Sequence, residues 1–198
     1  MKDRLPLLLI GIAFWELMIF VYSGWVTEDI TLQYRLAARY SARTSHTLVL
    51  VTLIYMFRNG LSLIFSNESK RVIYFNLVAL FSLNHIIHFY FLATNFRVNQ
   101  MELISARTLG GAVVYTLIIA MPFLLYRVKK LSRFSYWGIL NFWAAVVFVI
   151  LATFFDRIRN PVPDTTPLLY YYVLMGVFVL VVVLNLKKSI IDFKHIAL

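Results

Sequence analysis

The sequence predicts an all-α integral membrane protein, a six-helix antiparallel transmembrane bundle. Three observations carry this. Of 198 residues, 61 % are hydrophobic, and the mean hydropathy is +0.78. Only 14 % are charged, against about 25 % in soluble domains. The apolar residues gather into six runs, each near the ~20 residues that a helix needs to cross a bilayer. One small soluble core cannot hide that excess. The bilayer must solvate much of it, and in lipid the helix satisfies its own backbone.

The first run, residues 5–25, follows "MKDR" and shows no small-residue cleavage site, so it reads as an uncut helix and not a signal peptide. The second, 37–57, opens on the polar "AARYSARTSH". The stretch "RNGLSLIFSNESKR" that follows is too short to cross; Asn59 and Gly60 break the helix, and an interfacial piece is expected. The third run is 72–94, the fourth 108–126, the fifth 136–155 and the sixth 167–186. "RIRNPVPDTTP" makes a proline-rich turn between the last two. The outer connections, 26–36 among them, have about a dozen residues each, no room for a soluble domain. Residues 1–198 therefore read as a single transmembrane domain, without internal repeats. The tail "KKSIIDFKHIAL" is short and amphipathic, and is expected on the membrane surface.

Six spans put both termini on one side. Twelve of the basic residues fall on that side, among them Lys70, Arg71, Lys129 and Lys187, and seven on the other. The positive-inside rule then places both termini in the cytoplasm. The formal charge of +10 points to anionic lipid as the partner and not to nucleic acid, since no basic tract stands apart from the apolar runs. The absence of cysteine excludes disulfides, zinc–thiolate sites, iron–sulfur clusters and cysteine nucleophiles. No GxSxG, HExxH or Walker-type loop is present, and no catalytic residue is assigned. In "TLGGAVVY", Gly110 and Gly111 are expected to allow close helix contact.

Polar residues inside apolar runs are the informative exceptions. In "SLNHIIHFYFL", His85 and His88 stand three apart. At about 100° per residue, Asn84 and His88 fall within about 40° of each other and His85 about 60° to the other side. His46 on the second span lies about 10 Å from that helix's outer end, and His88 about 9 Å from the outer end of its own. Two imidazoles at one level on neighbouring helices are what a b-type haem requires, so His46 and His88 are the candidate ligands of a haem iron. His85 is the alternative ligand or a supporting group. Arg43 and Arg39, one and two turns above His46, are candidate partners for haem propionates. Histidine and asparagine also join membrane helices by hydrogen bonds of about 0.6–2 kcal/mol, and that reading stands beside the first. Glu16, the acid set well inside a span, reads as a proton relay or as a carboxyl bonded within the bundle.

The order of features carries a resemblance. "ARTSHTLVLVTLIYMFRNGLSLI" is followed by "SKRVIYFNLVALFSLNHIIHFYF", then "LGGAVVYTLIIAM", then the basic turn "YRVKKLSRFSYWGIL" and an apolar span. Over residues 36–156 this resembles the ferric reductase-like transmembrane superfamily, whose bacterial branch includes the haem-binding membrane subunit of a periplasmic methionine-sulfoxide reductase. Lys70 and Arg71 match its basic helix start, His88 its Leu-His position and Trp137 its tryptophan. Asn141 and Phe154 stand where that family has two further histidines, and neither can do the same work. The resemblance implies an electron-transfer subunit of an oxidoreductase, with a quinol or flavin donor inside and a periplasmic or membrane protein acceptor outside. With two ligand positions changed, it implies either haem b held by His46 with His88 or His85, or no cofactor and a role as membrane scaffold or accessory subunit.

Overall fold

The computed structural model describes residues 4–100, 106–160 and 167–196, with side chains described except in 106–110 and 194–196. These residues form seven helices and no strand: α1 (Leu5–Val26), α2 (Ile30–Asn59), α3 (Leu61–Ser66), α4 (Glu68–Val98), α5 (Ala106–Arg127), α6 (Arg133–Arg159) and α7 (Leu168–Ile196). The expected count of six is thus corrected to seven. Six long helices cover the six apolar runs, and the short interfacial piece is itself helical. The reason is local. Gly60 takes φ +75°, a left-handed conformation that glycine adopts at little cost, and its N–H bonds Met56 O at 2.7 Å. That closes α2 and lets α3 start at once.

The long helices also overrun their apolar windows. α2 begins at Ile30, so the expected outer loop of 26–36 shrinks to a three-residue connection. Asp29 starts that helix by accepting from Thr31 N at 2.8 Å. α7 runs on to Ile196, so the tail is a continuation of the helix and not a separate surface piece. Four helices, α1, α4, α6 and α7, are long and apolar enough to cross a membrane. α2 has the length but carries Arg35, Arg39 and Arg43 in its first half. The described apolar part of α5, Gly111–Arg127, is shorter. The expected proline-rich turn lies mostly in 161–166, outside the described residues.

Contacts divide the chain into two compact units, Met1–Val49 with Val72–Arg127, and Leu50–Arg71 with Val128–Leu198. In the first, Ile19, Ala37, Ala38 and Phe91 form a buried cluster flanked by Phe20, Tyr34, Tyr40 and Ile87. Phe20 stacks on Phe91 at 5.7 Å. The small side chains at Ala37, Ser41 and Ser45 recur every four residues along α2, and all are buried, which lets neighbouring backbone come close. α5 contains Pro122. A proline inside a helix leaves the carbonyl four residues back without its donor. Here that carbonyl, Ile118 O, accepts from Ser82 Oγ at 2.6 Å. The expectation of close contact at Gly111 is corrected: a Cβ there would meet nothing within 4 Å.

In the second unit α6 packs along α7, with α3 also against α7. Ser132 caps α6 by accepting from Ser135 N at 3.1 Å. Phe154 is fully buried between Tyr171 and Phe178, at 5.7 and 6.0 Å between ring centres. Tyr136 donates to Ser189 O at 2.6 Å, and Asn185 Nδ2 to Leu53 O at 3.1 Å.

Candidate functional site: a buried carboxyl joined to an imidazole cluster

The polar residues of the first unit form one connected group. Glu16 on α1 is wholly buried, and its Oε1 accepts from Asn84 Nδ2 on α4 at 2.6 Å. Asn84 Oδ1 accepts in turn from Ser45 Oγ on α2 by a short hydrogen bond. The same Ser45 oxygen lies 3.1 Å from His85 Nδ1. One hydroxyl thus joins two consecutive residues of α4 to the carboxyl of α1. Ser41 and Thr44 of α2 face the same carboxyl, and Trp15 Nε1 holds Thr44 Oγ1 at 3.0 Å. Glu16 Oε2 and Ser41 Oγ are buried without a hydrogen-bond partner.

Beyond Ser45 the imidazoles gather. His85 and His88 lie with ring centres 5.7 Å apart, and His46 lies close enough to both for ring charges to interact. All three residues are half-buried. His88 donates toward the Ala38 carbonyl of α2, and its Nδ1 is buried without a partner. Tyr115 from α5 lies 4.7 Å from His85 and 6.3 Å from His88, nearly parallel to the latter, and Phe81 is 4.7 Å from His85 on the same helix. Arg43 is near enough for its charge to act on His46, and its guanidinium sits 5.0 Å over the Tyr40 ring. Arg39 is half-buried one turn before it.

All three candidate histidines therefore meet in one unit, with Arg43 beside them. Helical spacing paired Asn84 with His88; instead Asn84 and His85 share Ser45, because a hydroxyl from the facing helix fits between two adjacent side chains. Sequence reasoning missed Ser45 and Tyr115. The spacing of Ser41 and Ser45, four apart on one helix face, is a signal that could have found the first. Among the described residues no group of three or more His, Asp and Glu converges as a metal cluster. The second unit has no histidine among its described side chains. No family model, no curated protein and no solved structure matches the chain.

Proposed function

We propose that the chain is a multi-pass protein of the bacterial inner membrane, with both termini cytoplasmic, that serves as an electron-transfer subunit and holds one b-type haem between imidazoles of α2 and α4. The observation that supports this most is the hydrogen bond at His85. Metal-bound histidine usually donates its other ring N–H to a fixed acceptor, which sets the tautomer and aims the ligand nitrogen. With Ser45 Oγ donating to Asn84 Oδ1, it would accept from His85 Nδ1–H. That would leave the lone pair on Nε2 for an iron.

As holders of the group, the imidazoles favour one change from the pairing His46–His88. His88 has its unpartnered lone pair on Nδ1, next to Cβ, where a flat macrocycle meets the side chain's own stem. His46 and His85 are therefore the residues that would hold the iron, and His88 would not. Arg39 and Arg43 would neutralise propionates. A bound haem supplies a one-electron couple, and the protein supplies position and a low-dielectric surround. A quinol or flavin donor and a periplasmic acceptor follow from the ferric reductase-like resemblance. Asn141 and Phe154 do not supply the two histidines that family has at these positions, and Phe154 is built into an aromatic core.

One observation favours a haem-free scaffold as the second reading. Tyr115 packs on both His85 and His88, so protein already fills that side of the cluster. An oxidised-minus-reduced absorption spectrum of detergent-purified protein from haem-replete cells separates the two. A Soret band that sharpens and shifts on dithionite supports the cytochrome; a colourless protein supports the scaffold.

A further inference from the structure

We propose that the second unit binds the headgroup of an anionic phospholipid where α6 begins beside the last turns of α7, with the phosphate between Arg133 and the Lys187–Lys188 pair. The site depends on the membrane setting of α6 and α7. It needs no haem, and it holds whichever side of the membrane this end faces.

Three contacts gather charge at this end. Leu53 O accepts from Asn185 Nδ2, and seven residues further along each chain segment Gly60 lies against the Asp192 carboxylate. The last turns of α2 therefore run alongside α7 in the same direction. Tyr136 donates to Ser189 O at 2.6 Å, which sets the first turn of α6 beside α7. Arg71 donates to Lys129 O at 2.9 Å and ties the start of α4 to the turn before α6. Among the described side chains of the unit, eight cations and two acids share this end. One of the acids, Asp192, is buried. Lys70 and Arg71 spend donors inside the fold, Lys70 on Asn59 Oδ1 at 2.5 Å. Arg133 and Lys187 are exposed, and Lys188 is half-buried.

Helix length puts these cations at headgroup depth. Residues 168–186 of α7 are about 28 Å long and residues 134–155 of α6 about 33 Å, at 1.5 Å per residue. Each matches the ~30 Å hydrocarbon core. Lys187 directly follows the first stretch, and Arg133 directly precedes the second. Arg133 stands about 4.5 Å along the axis from Tyr136, and Lys187 about 3 Å from Ser189. With Tyr136 bonded to Ser189, both cations fall in one layer about 8 Å deep, close to the depth of a headgroup band.

Charge decides the kind of lipid. A zwitterionic headgroup carries a cation beside its phosphate, which this end repels. An anionic headgroup does not, and each Lys or Arg held at an anionic surface is worth about fivefold in binding. The apolar neighbours decide that the anion is a lipid and not a soluble polyanion. Phe134 is 89 % exposed, and Trp137, Leu186 and Ile190, each within about a turn of Arg133 or the lysine pair, are open as well. Glycerol and acyl chain cover such groups, whereas a soluble anion leaves them in water. Phe193 packs on both Tyr136 and Trp137, so the two sides of the site are held in register.

The test places the full-length protein in nanodiscs of equimolar phosphatidylglycerol and phosphatidylcholine with matched acyl chains, and reads the retained lipids by native mass spectrometry. The wild type should retain phosphatidylglycerol in excess. Arg133→Gln should lower that ratio by about fivefold, and Lys187→Gln with Lys188→Gln by at least as much. Arg157→Gln with Arg159→Gln removes charge from the far end of α6 and should leave the ratio unchanged. Millimolar inorganic phosphate should not displace the lipid. Equal retention of the two lipids by the wild type, a ratio that falls as far in the Arg157 and Arg159 variant, or displacement by phosphate overturns the proposal. The substituted side chains lie at the surface, the wild-type ratio decides even if a variant does not fold, and a missing Soret band leaves it untouched.

Discussion

Replacing Ser82 by alanine tests how α5 tolerates its proline. Pro122 has no N–H, so Ile118 O loses the donor that a regular helix would supply. Ser82 Oγ takes that place at 2.6 Å. Ser82 is 4 % exposed and Ile118 1 %, so neither water nor a headgroup reaches the carbonyl in the variant. A buried acceptor left without a partner costs about 1–3 kcal/mol, and interhelical bonds in membranes fall toward the lower end, about 0.6–2 kcal/mol. Ser82→Ala should therefore lower unfolding stability by about 1–2 kcal/mol, read by denaturant titration in mixed micelles. The decisive comparison is Pro122→Ala, which restores an N–H to the helix. In that background Ser82→Ala should cost under about 0.5 kcal/mol, the level at which independent sites add. An equal loss in both backgrounds would refute the reasoning, because the serine would then not be serving the carbonyl that proline orphans.

Other consequences are as direct. Gly60→Ala meets both a positive φ and the Asp192 carboxylate lying where its Cβ would stand; a loss of about 1–3 kcal/mol is expected, part of it recovered by Asp192→Ala, and an unchanged denaturation midpoint would contradict the strain. Asp29, outside the apolar spans, is held below the usual aspartate range by the Thr31 side-chain and backbone donors. A lowered folded value means that its support of the start of α2 is complete above about pH 4 and is lost as pH falls through that value; Asp29→Ala should abolish this acid step in Thr31 amide protection, and a step that persists would assign it to another group. Reporter fusions after residues 163 and 194 should report opposite sides of the membrane, and same-side signals would overturn the orientation.

The long helices were legible because apolar runs of membrane length have few alternatives. Their ends were not. Residues 30–36 and 187–196 are polar enough to look like loop or tail, yet they continue α2 and α7, because hydrogen bonding and packing extend a helix past the point where hydropathy stops requiring one. Gly60 was read as a break, and it is one; that the six residues after it would coil again was beyond a signal so short. At the site, the histidines and Glu16 stood out because such groups are costly in lipid. Ser45, Ser82 and Tyr115 did not, since serine and tyrosine are ordinary in membrane helices. Their roles depend on which atom of a facing helix they meet: the Asn84 amide, the Ile118 carbonyl and the His85 ring.

The central claim, an imidazole pair from α2 and α4 that ligates haem, is tested most directly by titrating haem into purified wild-type protein and into the His46→Ala and His85→Ala variants, following the low-spin Soret band and the haem bound per chain. Saturation at one haem per chain is expected in the wild type, with loss of the low-spin spectrum in each variant and its retention in His88→Ala. A wild type that binds none, or His46→Ala and His85→Ala proteins that bind as the wild type does, would contradict it.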